Sequence, residues 1–255
     1  MKSLLRFSTV IIIPAIQVAI MLLSLRMERF YFSGAAVAFL LTDVLLVPYF
    51  TGKEHRSRLF ALSFPPLALV LLAFGLFFFV EEEWLKHMII IASALAQFLY
   101  IINLYHLVFR PDRYQERSFF HANSIVGTLI IFFGSACAYG SGTYIDIPVW
   151  FWIWPAAALM AALVVQGFWV HGISLRLHAR HALAILLLGV EGAIAISLLP
   201  SLYLTSAALH TALFVTVLNL VVSDIRKELT RFEVIGSIMT ALIMVALVLG
   251  TAPWR

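Results

Sequence analysis

Long apolar runs alternate with short charged segments along the whole chain. A helix needs about 20 mostly apolar residues to cross the hydrocarbon layer. A scan at that length finds candidates at 8–25, 31–50, 59–80, 88–109, 119–139, 147–170, 182–199, 205–223 and 233–250. The connectors hold nearly all the charge, and none is long or polar enough to form a separate soluble domain. The pattern predicts an all-α, polytopic transmembrane helix bundle of about nine spans, with residues 1–255 as a single integral membrane domain. No repeat stands out at solenoid or propeller periods. The narrowest boundary runs from Pro200 to Leu204, where Pro200-Ser201 supplies turn chemistry. If 182–223 were not a hairpin, the count would fall to eight.

Composition fixes the same class. The chain is 63% hydrophobic and 12% charged, with a mean hydropathy of +1.01; soluble domains are about 45–50% apolar and about 25% charged. A soluble fold of this length could not keep its outer layer polar. Lys2 and Arg6 ahead of the apolar stretch Val10–Leu23 resemble a signal peptide, but no Ala-x-Ala-like site follows. A retained signal-anchor helix is expected. Cys137 is the single cysteine and is expected to act as a small hydrophobe.

Charge supplies an orientation. With the N-terminus inside, only Arg26, Arg29, Lys86 and Arg255 of the 17 Lys and Arg residues fall outside. The remainder lie in inner segments, the bias expected of cytoplasmic loops. Glu81, Glu82, Glu83 and Asp146 fall outside, as do Trp84, Trp150, Trp152, Trp154 and Trp254, in the manner of an interfacial aromatic belt. The reading is a cytoplasmic N-terminus and an outer C-terminus, with the bacterial inner membrane as the default host. The net charge of +4 then reflects topology, and no nucleic-acid partner is expected.

Two carboxylates lie deep in the spans. Glu191, between Gly189 and Gly192, is near the middle of the seventh, and Asp43 follows Thr42 in the second. A central acid costs about 2.5 to 3.5 kcal/mol, so it is expected to face a partner or water and to mark a relay. Asn103 and His106 share a face of the fourth span. These four are candidates for transport or proton relay; the plainer alternative is structural carboxylates joining helices. His121, Asn123 and His171 fall at the inner side with His106. They are candidates for a cytoplasm-facing polar cluster, or for simple interfacial hydrogen bonding. Gln17 and Gln97 are expected to bond between helices, and His210 stands apart. In the loop 110–117, Arg110, Arg113 and Arg117 are candidates for contact with a lipid headgroup or anion. Proline within spans, at Pro14, Pro65, Pro66 and Pro155 among others, frees carbonyls that must find partners inside the bundle.

Several chemistries are excluded. The four lysines lie in terminal or loop segments, leaving none for a retinal Schiff base. His178-Ala179-Arg180-His181 offers too few ligands for a metal, and no cofactor is implied. Gly134-Ser135-Ala136-Cys137 and Gly140-Ser141-Gly142-Thr143 do not match the Gly-x-Ser-Gly motif of rhomboid proteases. The run Glu81–Lys86 lacks the arginine and the later Phe-x-x-x-His motif of the CAAX-processing family. Neither a phosphate-binding Gly-rich loop nor an HExxH motif is present. Three classes remain: a small proton-linked transporter or permease, a non-catalytic scaffold or complex subunit, and a membrane enzyme acting on a lipid-linked substrate at the inner leaflet. The expected partners are membrane lipids, a small solute or proton, and further copies or subunits of a membrane complex.

Overall fold

The computed structural model describes residues 2–27, 31–46, 59–109, 116–199, 201–227 and 230–251. The long elements among them are all α-helices: α1 (Lys2–Arg26), α2 (Tyr31–Leu46), α3 (Leu59–Leu76), α4 (Glu83–Phe109), α5 (Glu116–Tyr144), α6 (Val149–Val170), α7 (Ala179–Ser197), α8 (Tyr203–Ile225) and α9 (Arg231–Thr251). Six helical stretches among the described residues are long and apolar enough to cross a membrane, in α1, α4, α5, α6, α7 and α8. The membrane-bundle class therefore stands, on six such helices. In α2, α3 and α9 the described apolar stretches are shorter. The narrow boundary near residue 200 does separate two helices, α7 and α8, and they pack on each other. Pro200 itself lies outside the described residues.

Contacts divide the chain into two compact units, Met1–Ile130 and Ile131–Arg255. In the first unit, α1 packs on α2, α2 on α3, α3 on α4 and α4 on α1, closing a ring. The buried stripe of α1 runs Val10, Ile13, Gln17, Met21, Ser24, a spacing that keeps one face inward. Gly34 lets α2 approach two neighbours at once. A Cβ there would collide with the Ser24 hydroxyl and lie 3.5 Å from the Phe74 ring.

The prolines of α3 show how the ring is tied. Pro66 has no N–H, so the Leu62 carbonyl loses its usual helical donor four residues on. Tyr100 of α4 is fully buried and donates its hydroxyl to that oxygen at 2.8 Å. The expectation that freed carbonyls find partners is met at this position. α3 ends earlier than its apolar run, because Phe77, Phe78 and Phe79 turn back with bonds to carbonyls three residues behind. α4 begins earlier than expected, with Glu83 in its first turn, where a carboxylate complements the helix dipole. Glu83 also pairs with the nearly buried Lys86 at 3.1 Å.

In the second unit, α6 packs on α7, α7 on α8 and α8 on α9. The C-terminal half of α5 joins them through the hydrogen bonds described below. α6 ends in a Schellman motif. Gly172 takes the left-handed φ of 69°, Ile173 N–H donates to the Phe168 carbonyl at 2.8 Å and Gly172 N–H to that of Trp169 at 3.0 Å. Trp150 and Trp154 are exposed on α6, as a belt requires, but Trp152 turns inward.

Tyr100→Phe is expected to leave the Leu62 carbonyl unpaired and to destabilise the fold by about 1–3 kcal/mol. Thermal unfolding in detergent measures the loss. In a Pro66→Ala background, which restores the helical donor, the same substitution should cost much less. Equal costs in both backgrounds would refute the proline-to-tyrosine link.

Candidate functional site

Two groups of buried polar side chains occupy helix interiors, one in each unit. The one in the second unit is a connected network centred on His210. Ser135 of α5 and His210 of α8 are buried, and the Ser135 Oγ lies 2.7 Å from His210 Nδ1. His210 Nε2 lies 3.1 Å from the Gly189 carbonyl of α7. A carbonyl only accepts, so Nε2 carries the hydrogen, and Nδ1 then accepts the serine hydroxyl's proton. The ring thereby has one tautomer and joins three helices. One turn further along α7, Tyr139 donates its hydroxyl to the Ala193 carbonyl at 3.0 Å. The Tyr139 ring meets those of His210 and Trp152 edge-on, at 6.3 and 5.2 Å between centroids. Trp152 is also part of an open depression of about 530 Å³, lined with Asp146, Ile147, Pro148, Phe151 and Pro155.

Glycine makes this approach possible. A Cβ on Gly189 would sit 2.7 Å from Met160 Sδ and 3.1 Å from the Phe214 ring, and one on Gly192 would collide with Leu213. Neighbouring helices pack closely against both glycines, but Glu191 is not on that face. α7 buries Ala182, Ile185, Gly189 and Ala193, while Glu191 lies exposed with Leu183, Leu187 and Leu188. Of the two expected settings for Glu191, a partner or water, its own unit supplies no packed one: the side chain points away from the core of that unit.

In the first unit three buried polar side chains leave atoms without a hydrogen-bond partner. Gln17 of α1 and Ser93 and Gln97 of α4 are all within 1% of complete burial. Gln17 Oε1, Ser93 Oγ and both amide atoms of Gln97 have no hydrogen-bond partner. Gln17 Nε2 reaches only Met21 Sδ, at 3.7 Å on its own helix. The glutamines are thus buried as expected but do not bond between helices. α1 and α4 pack together, and Ser93 and Gln97 stand one turn apart on α4. At 1.5 Å per residue, Gln17 lies about 14 Å from the Arg26 end of α1, and Ser93 and Gln97 about 15 and 21 Å from the Glu83 end of α4. All three positions therefore lie well away from the ends of their helices.

The remaining candidates scatter. Asn103 donates to the Leu99 carbonyl of its own helix at 2.8 Å. His106 is half-buried, its ring edge-on to Tyr105 at 5.6 Å. His121 is exposed and Asn123 buried. His171, at the C-cap of α6, accepts from Arg226 Nη1 through Nδ1 at 3.2 Å. Asp43 lies on α2, following the buried Thr42, whose hydroxyl donates to the Ala38 carbonyl at 2.7 Å; the Asp43 side chain is outside the described residues. Arg110 and Arg113 are likewise outside them, as is the side chain of Arg117. His178 and His181 lie 5.5 Å apart between ring centroids, each with an unpartnered buried Nδ1. Among the described residues, no three His, Cys, Asp or Glu side chains are placed to hold a metal ion.

The Ser135–His210 contact escapes sequence reasoning because its partners lie 75 residues apart. The unpaired atoms had a partial signal, since Gln17 and Gln97 stand out in apolar runs. Comparison with protein-family models, curated proteins and solved structures gives no match.

Ser135→Ala should strand His210 Nδ1 and lower stability by about 1–3 kcal/mol. His210→Phe should add little further loss in that background, because the two residues act as one connected unit. Strictly additive losses in a double-mutant cycle, measured by thermal unfolding, would count against the shared network.

Proposed function

We propose that this chain is a small membrane permease, and that a polar solute crosses through the first unit. The supporting observation is the unpaired buried atoms of Gln17, Ser93 and Gln97 on two helices that pack together, which the proposal takes as one polar layer. Buried polar atoms in a hydrocarbon setting normally find partners within the protein. Four that do not, well away from the helix ends, suit a transient guest, and transporters place their binding sites near the bilayer midplane. Proton linkage in this unit falls to Asp43 on α2. The same proposal takes the nine helices among the described residues as nine spans. It places the N-terminus in the cytoplasm and the C-terminus outside on the strength of the loop charges, with a bacterial inner membrane as the default host.

A second reading, a subunit of a larger membrane complex, is favoured by one observation. Glu191 is exposed amid an apolar face of α7. A carboxyl facing lipid there carries the cost already noted for a central acid, and a neighbouring protein would relieve it. The inner-leaflet enzyme reading has weaker support, with His121 exposed and His171 engaged by Arg226.

Reconstituted into vesicles, the chain should release small polar solutes faster than protein-free vesicles do, and faster still under an inward proton gradient. Asp43→Asn should remove the response to the gradient and spare the basal rate. Release no faster than from empty vesicles would end the permease reading. For the second reading, Glu191→Leu should shift the mass of detergent-solubilised particles downward. An unchanged mass would leave Glu191 without that role.

A further inference from the structure

Resting on the permease reading, we infer that the Gln17–Ser93–Gln97 layer binds an uncharged hydrogen-bonding molecule, either water itself or a small amide or polyol, and excludes ions. The chemistry of the unpaired atoms carries this. Gln17 Oε1 and Gln97 Oε1 accept only, Gln97 Nε2 donates only, and Ser93 Oγ does both. A cation would satisfy the oxygens and leave the Gln97 N–H groups stranded. An anion would satisfy the donors and leave two carbonyl oxygens stranded. A molecule that both donates and accepts satisfies all four atoms. Exchanging O and N in either amide does not alter this, because both amide atoms of Gln97 are unpaired and always present one donor group and one acceptor.

The surroundings agree. Among the described residues, Lys86 is the only charged side chain buried in the first unit. It lies seven residues from Ser93 along α4, about 10 Å away at the helical rise, and is already paired with Glu83. No described countercharge reaches the layer, and an ion stripped of water there would meet only amides and a hydroxyl. The neighbouring polar group is also committed, since the Tyr100 hydroxyl is held by the Leu62 carbonyl.

The test uses the full chain in phosphatidylcholine–phosphatidylglycerol vesicles. Stopped-flow light scattering follows water under a sucrose gradient, and then urea and glycerol entry. Potassium and chloride leaks are followed on the same vesicles. Water, urea or glycerol should cross well above the protein-free rate, with both ion leaks at the protein-free level. Gln97→Met keeps the side-chain length and removes the amide. It should lower the uncharged flux about tenfold, the weight of one ordinary hydrogen bond, and Gln97→Asn should restore part of it. Passage of water alone identifies water as the guest; passage of urea or glycerol identifies the solute class. If Gln97→Met fails to fold, Ser93→Ala tests the same layer and should lower flux several-fold. Ion flux that depends on Gln97 would overturn this inference and leave the permease reading intact. No flux of any probe, from a chain with wild-type helicity and particle size, would overturn both. Wild-type flux in folded Gln97→Met and Ser93→Ala would overturn the assignment of the layer.

Discussion

A polar backbone atom in the hydrocarbon interior has no water to turn to, and this constraint governs how each unit is held together. In the first unit it acts on the Leu62 carbonyl, which Pro66 deprives of its donor and Tyr100 supplies with another. Isolated hydroxyls obey it locally. Thr42, Thr128, Thr143 and Thr211 each donate to a carbonyl four residues back, so they need nothing from a neighbouring helix. In the second unit His210 and Tyr139 reach carbonyls of α7 that stand one turn apart. Against this background, the unpaired atoms of Gln17, Ser93 and Gln97 are the departure from the rule.

Helix packing follows the same economy of space. Gly34 in the first unit, and Gly189 with Gly192 in the second, lie where a Cβ would strike a neighbour. Side chains of the neighbouring helices close directly onto the glycine backbone there, as small residues allow in membranes. Close approach brings carbonyls within reach of side chains from adjacent helices. The glycines and the interhelical hydrogen bonds of α7 are therefore two aspects of one contact.

The sequence made the class legible, because length and apolarity decide what crosses a bilayer. It also located the helices, with errors at their ends. The span expected to begin at residue 88 starts at Glu83, and the one expected over 119–139 runs from Glu116 to Tyr144. Side-chain facing was far less legible. α7 is apolar on both its buried and exposed faces, so nothing in its pattern tells core from lipid, and the exposure of Glu191 could not be read from it. Pro66 announced that a carbonyl needed a partner, but not that Tyr100, 38 residues beyond Leu62, would provide it. His210 looked solitary because Ser135 and Gly189 are remote in sequence.

The Ser135–His210–Gly189 connection has a consequence for biogenesis. α5 leaves the ribosome well before its partners exist: Ala193 follows Tyr139 by 54 residues, and His210 follows Ser135 by 75. Until α7 and α8 enter the membrane, the Ser135 and Tyr139 hydroxyls must be accommodated by bonds within α5 or by the insertion machinery. The second unit therefore cannot consolidate helix by helix. Its core locks late, when the α7–α8 pair arrives, and a chain arrested before residue 210 would hold α5 in a bilayer without the contacts that fix its rotation.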